Sequence, residues 1–152
     1  HTGHTETGSN CRMSELDCAT MLVKTQYIDA WQQHRRAIAQ QYITGFKGAN
    51  LRCLIDDTNF HTHAFHKFVI EVDNRDTVKA KLAQAKIETK IHYEKPLHEI
   101  GVYRQYPGPD IMSCASALSR RVLSLPIYPE LSDLEIEYIS DQVLDCVSAA
   151  RN

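Results

Sequence analysis

Between residues 14 and 43 the apolar side chains Leu16, Ala19, Val23, Tyr27, Trp31, Ile38 and Tyr42 recur at intervals of three, four or seven. That spacing keeps returning to one face of an α-helix, whereas a strand would send every second residue to the opposite side. The segment opens on Ser14 with Asp17 three residues on, a near capping box, and it runs into Gly45 and Gly48, residues that end helices. One helix over 14–43 is the expectation. A helix of that length in a small domain should reach beyond it or brace two lobes.

The remainder alternates short helical and extended patterns. Residues 51–62 read as a polar connection carrying Asp56, Asp57, Thr58 and Asn59, and 64–72, rich in aromatic and β-branched residues, as a strand. Asp73 and Asn74 can cap a helix over 75–85 with Val78, Leu82 and Ala85 on its apolar side. From 87 to 93, Ile87, Thr89, Ile91 and Tyr93 alternate with Glu88, Lys90 and His92, the period of a strand with one buried face, which Pro96 must end. A short helical turn through His98 to Tyr103 leads to the Pro107-Gly108-Pro109 breaker, and 111–121 reads as a further helix with Met112, Ala115 and Leu118 in line. Residues 122–127 form an apolar strand closed by Pro126 and Pro129, hence an edge or a strand end. Ser132 with Glu135 is a full capping box, flanked by a Leu131–Ile136 staple, for a last helix reaching about residue 148. The expected fold class is α+β: a small three-stranded sheet covered by helices on one side and preceded by one long helix. A chain of 152 residues has room for one such core.

Charge and composition remove several function classes. Seventeen Lys and Arg against nineteen Asp and Glu leave a net charge of −2, which argues for neither nucleic acid nor an anionic membrane surface as partner. Neither a membrane-spanning apolar run nor a secretory start is seen. Five cysteines at irregular spacing, Cys11, Cys18, Cys53, Cys114 and Cys146, fit reduced thiols in a cytoplasmic protein. The first nine residues begin on His1 and lack periodicity, reading as the middle of something longer.

Candidate chemistry is sparse. His61, His63 and His66 invite a metal reading, yet on a strand His61 and His63 share a face and His66 does not, so no metal site is expected. G-x-S-x-G, G-x-G-x-x-G and P-loop motifs are absent. Asn10 and Arg12, an amide and a guanidinium beside a helix start, either bind an anion there, where free backbone donors and the helix dipole favour negative charge, or simply cap and solubilise the helix. His92, Tyr93 and His98 lie where a strand runs into a proline turn, a place from which a rigid scaffold presents side chains to a ligand. Ordinary solvated histidines are the bland alternative.

Taken together, four segments resemble the C-terminal part of the DegT/StrS-like nucleotide-sugar aminotransferases, fold-type-I enzymes dependent on pyridoxal 5′-phosphate. They are the run from Gly8 to Leu16 with its Asn10, Arg12 and Met13-Ser14-Glu15-Leu16; His66-Lys67-Phe68-Val69-Ile70; Ile91-His92-Tyr93 with Pro96-Leu97-His98; and the run from Val122 to Ser132. The resemblance implies a three-stranded antiparallel small domain, here 14–152, with 1–13 a remnant of the connection to a large domain. It implies a homodimer in which Asn10 and Arg12 approach the cofactor phosphate, while His92, Tyr93 and His98 approach a nucleotide-linked keto-sugar that receives an amino group from glutamate. Glu94 and Lys95 stand where the family often has proline directly after the His-Tyr pair. The family's Schiff-base lysine lies upstream of the segment matched by Gly8 to Leu16, so these residues alone are expected neither to hold the cofactor nor to transaminate, with no catalytic residue among them. A free-standing binding or dimerisation module derived from that domain is the alternative expectation.

Overall fold

Ser14 caps the first helix: the Asp17 amide donates to Ser14 Oγ at 3.1 Å, and the Ser14 hydroxyl donates to Asp17 Oδ2 at 2.6 Å. The computed structural model describes residues 12–55, 57–103 and 113–149. Where one continuous helix was expected, two occur in succession, α1 (Glu15–Thr25) and α2 (Ile28–Gly45). The interruption has a local cause. The Thr25 hydroxyl bonds the Leu22 carbonyl at 3.0 Å, and the Gln26 and Tyr27 amides bond carbonyls only three residues back, tightening the last turn. The apolar stripe accordingly divides in two. Ile38, Ala39 and Tyr42 of α2 are buried, whereas α1 buries no residue at all.

Three antiparallel strands follow in the order β1 (Arg52–Cys53), β2 (Phe68–Glu71) and β3 (Val122–Leu125). Phe68 pairs with Leu125 and Ile70 with Leu123, so these four share one face and are at most 4% exposed. That face meets Ile38 and Tyr42 of α2, Val78 and Leu82 of α3 (Arg75–Gln84), and Ile136, Ile139 and Val143 of α5 (Asp133–Ala149) in one core. The α+β class and the helix-covered sheet are as the sequence led one to expect.

The membership of the sheet differs. Arg52–Cys53, inside the stretch read as a polar connection, supplies the third strand, and residues 87–93 do not. Those residues touch β3 through one bridge: the Lys90 amide donates to the Ser124 carbonyl at 3.2 Å and the Ser124 amide to the Lys90 carbonyl at 2.8 Å. The start of the segment is committed elsewhere, since the Ile87 amide still bonds Leu82 of α3 and Lys86 is left-handed at φ 64°, a helix-ending geometry. Asn74 occupies the cap position of α3 as expected, but at φ 51° and without a side-chain cap bond. The 75–85 and 132–148 helices otherwise form where the pattern put them, the latter with the Ser132 amide bonded to Glu135 Oε2 at 2.9 Å. Of the 111–121 helix, α4 (Ser113–Ser119) is seen, while Met112 and the Pro107-Gly108-Pro109 breaker fall outside the described residues.

One buried cation ties these layers. Arg75 donates to the carbonyls of Ser119 and Val122, each at 3.3 Å, and pairs with Asp76 at 2.6 Å, fixing the start of α3 against the approach to β3. The sheet face opposite the core is mixed, with Val69 and Val122 among its polar residues. There Glu71, on β2, is clamped between Arg52 at 2.6 Å and Arg121 at 2.5 Å, and Val69 and Ser124 pair with each other two residues along.

Candidate functional site

β3 reads Val122-Leu123-Ser124-Leu125, and alternation sends Ser124 away from the core face that Leu123 and Leu125 occupy. Its hydroxyl lies 2.9 Å from His92 Nδ1, so the imidazole is fixed by a residue 6% exposed on an edge strand of the sheet. The Lys90 bridge sets the position of His92 two residues along. Tyr93 follows across a cis peptide bond, its ring edge-on to His92 at 5.4 Å and 68% exposed. Lys67 Nζ lies 5.6 Å from the Tyr93 ring centroid, a cation over an aromatic face.

The loop that delivers His66 and Lys67 is held in an unusual turn. Phe65 is buried at φ 45°, and its amide donates to His63 Nδ1 at 2.9 Å. Arg35 of α2 donates to the Phe65 carbonyl at 3.3 Å and to that of Ile127 at 2.9 Å, so one guanidinium sets the entry to β2 and the exit of β3 together. Tyr42 adds a 3.0 Å bond to Pro126 O.

These elements enclose a groove of about 800 Å³. Its lining carries His66, Lys67, Lys90, His92 and Ser124, and also Tyr128, Tyr138, Ile127 and Ile139. His92 is held below the ordinary histidine range, first by burial and then by the positive charge of Lys67, Lys90 and His66. A neutral ring among cations leaves a site that attracts anions while keeping a neutral hydrogen-bonding nitrogen.

The site residues read from the sequence are not all brought together. His92 lines the cationic part of the groove, and Tyr93 stands next to it, outside the lining, with Lys67 over its ring. His98 lies apart from the groove lining: its Nε2 is 3.1 Å from Ser116 Oγ on α4, and the Ser116 hydroxyl also donates to Glu99. Arg12 is exposed ahead of α1, and Asn10 lies outside the described residues. Among the described residues no cluster of three histidines, cysteines or carboxylates could hold a metal, and no helix is long and apolar enough to cross a membrane. Sequence reasoning passed over Lys67, Lys90 and Ser124 as functional groups. A serine between two leucines in an apolar strand was the available signal for Ser124, since a polar residue there needs a partner.

The model of the DegT/DnrJ/EryC1/StrS aminotransferase family matches residues 1–144. The chain belongs to that family. The family member "Erythromycin biosynthesis sensory transduction protein EryC1" of Saccharopolyspora erythraea is 35% identical over 130 residues, covering 85% of this chain and 36% of the relative. A dTDP-3-amino-3,6-dideoxy-alpha-D-galactopyranose transaminase of Aneurinibacillus thermoaerophilus is 33% identical over 138 residues, covering 90% of this chain and 37% of its own. Among solved structures, a DegT DnrJ EryC1 StrS aminotransferase from Brucella abortus superposes with a TM-score of 0.86 at 27% identity, over 97% of this chain and 39% of that one. DesV of S. venezuelae, in complex with a ketimine intermediate, gives 0.81 at 26% identity, over 95% and 39%. The chain thus spans under two-fifths of the length of these four relatives.

Proposed function

We propose that this chain is the C-terminal portion of a pyridoxal-phosphate-dependent aminotransferase that moves an amino group from glutamate to a keto-sugar carried on a nucleotide. The observation that carries the reading is the family match along residues 1–144, with relatives that include dTDP-sugar and UDP-sugar aminotransferases. The cationic groove end around His92 supports it, because a nucleotide-linked sugar brings phosphate charge to its binding site. Residues 1–13 then belong to the connection to a large domain, and 14–152 to the small domain.

The described residues fit the periphery of the cofactor and not its ring. A covalently held pyridoxal needs an enclosed, imine-forming lysine, and every described lysine is exposed or half-buried. Bound pyridoxal phosphate supplies the electron sink for amino transfer, and no bond-making step falls to this chain. Its residues bind and orient: Asn10 and Arg12 toward the cofactor phosphate, His92 and Tyr93 toward the sugar nucleotide, with His98, held by Ser116 apart from the groove, contributing from the turn that follows.

A second reading, a free-standing module that pairs with itself, is favoured by the bare apolar residues of α1, where Leu16 is 78% and Leu22 70% exposed. One comparison separates the two. The gene is read upstream of the codon for His1, and the protein it encodes is assayed for 2-oxoglutarate formed from glutamate with a dTDP-linked keto-sugar. A frame continuing through a lysine-bearing pyridoxal motif, with turnover that requires the sugar nucleotide, supports the transaminase. A frame that begins close to His1, with a dimer that neither binds pyridoxal phosphate nor turns over, overturns it in favour of the module.

A further inference from the structure

Phe65 stands in a conformation that a phenylalanine rarely takes, φ 45°, and does so with its side chain fully buried. Two polar contacts hold it there. The Arg35 guanidinium donates to its carbonyl at 3.3 Å, and its amide donates to His63 Nδ1 at 2.9 Å. An amide can only donate, so Nδ1 is the bare nitrogen of the imidazole and the ring hydrogen sits on Nε2. The two rings also pack, 4.4 Å apart at 54°, with Phe60 against Phe65 at 5.1 Å. His66 and Lys67 follow directly, and Lys67 Nζ reaches over the Tyr93 ring.

His63 itself is exposed, so a second proton can reach it from solvent. That proton has one place to go, the nitrogen that accepts the Phe65 amide, and an imidazolium has no acceptor left. Two N–H groups would then point at each other, and the ring must turn away. Its surroundings do not stabilise the charge. The hollow of about 360 Å³ that His63 lines with Leu54 and Ile55 has His66 and Lys67 as its other ionisable groups, and among the described residues no carboxylate lines it. Arg35 approaches the turn from α2 as a fixed cation, and His61 sits edge-on to Phe60.

We propose that His63 is a proton-operated latch on the turn that delivers His66 and Lys67. With the ring neutral, the bond from the amide closes the latch and Phe65 keeps its left-handed turn. With the ring charged, the amide loses its acceptor and the turn loosens. The latch is therefore closed at pH above the His63 titration and opens as pH falls through it. Arg35 and the buried Phe65 ring keep the chain attached, so what changes is the placement of His66 and Lys67 and not the fold. The inference goes beyond the transaminase reading and does not depend on it.

The test is a nuclear magnetic resonance titration of the protein that follows the His63 ring nitrogens, the Phe65 amide and the Tyr93 ring, with hydrogen exchange at the Phe65 amide on either side of the midpoint. All three signals should titrate together, and protection of the Phe65 amide should fall about tenfold on the acid side, the factor that loss of one hydrogen bond brings. His63→Asn puts an oxygen where Nδ1 stood and cannot take the proton, so Phe65 protection should stay high at every pH. His63→Leu offers no acceptor, and protection should be low throughout; His61→Asn should respond as the parent does. A Phe65 amide that still titrates in His63→Asn, or that titrates apart from the His63 ring in the parent, overturns the proposal. So does unchanged protection in His63→Leu, or loss of the response in His61→Asn. Should His63→Leu fail to fold, the parent and His63→Asn decide the matter between them.

Discussion

Replacing Arg75 with methionine removes a buried charge while keeping its hydrocarbon stem, and its cost separates two parts of one interaction. The side chain is 9% exposed and its ion-pair partner Asp76 is 84% exposed. The exposed half of the pair contributes little, because water screens it, so Asp76→Asn should cost under about 0.5 kcal/mol. The other half is the pair of bonds to the Ser119 and Val122 carbonyls, which no solvent replaces once the guanidinium is gone. A hydrogen bond from a charged donor is worth about 1.5–3 kcal/mol at good geometry; at 3.3 Å each falls below that range, to about 1 kcal/mol, which puts loss of the two in Arg75→Met near 2 kcal/mol. Urea denaturation followed by circular dichroism measures it. With a slope of about 2 kcal/mol per molar, the midpoint should fall by about 1 M in Arg75→Met and barely move in Asp76→Asn. Equal shifts in the two variants would refute the division, showing that the pair with Asp76, and not the carbonyl contacts, carries the stability.

Other outcomes follow from burial and charge. Leu123 is fully buried where β2 and β3 meet the helices, so Leu123→Ala should lose about 3–5 kcal/mol, whereas Leu134→Ala, at 78% exposure on α5, should stay within about 0.5 kcal/mol in the same urea assay. Because burial and the neighbouring cations lower the proton affinity of His92 in the folded state, the unfolded chain takes up the proton first as pH falls. His92 therefore costs no stability above the ordinary histidine range and an increasing amount below it. Lys67→Met should raise the His92 pKa in an NMR titration and flatten that acid limb; an unchanged or lower pKa would contradict the assigned electrostatics.

The long periodic and capped elements were legible because each is specified by residues close in sequence. Ser14 with Asp17 and Ser132 with Glu135 form the bonds their spacing dictated, and α3 fills the pattern of Val78 and Leu82. The sheet was less legible. A two-residue strand such as Arg52–Cys53 has no period to read, and its pairing with Ile70 and Glu71 is decided by the tertiary fold. Alternation over 87–93 promised a ladder, but alternation reports which face is buried and says nothing about how many bonds form. At the site, His92 and Tyr93 drew notice from their residue types. Ser124, Lys67 and Lys90 did not, since their meeting depends on contacts such as that between residues 92 and 124, which no local pattern records.

The attachment of residues 87–92 to β3 by one bridge has a consequence for how this part of the protein opens. To lift from the strand, residues 90–92 must break two backbone bonds at Lys90 and Ser124, the His92 contact to Ser124 and the packing of Ile91 against the core, while Ile87 and Thr89, 5% and 8% exposed, hold the start of the segment in place. The β2–β3 ladder, with four residue pairs and a packed face, stays intact when it does. In native-state hydrogen exchange the Lys90 amide should therefore open at a free energy well below that of global unfolding, and the ladder amides near it. His92 thus sits beyond an anchored start at Ile87 and a single bridge at Lys90, so the imbalance between the two sides of that bridge sets how far a local opening can spread: it should stop at residue 90 and leave Ile87 in the core.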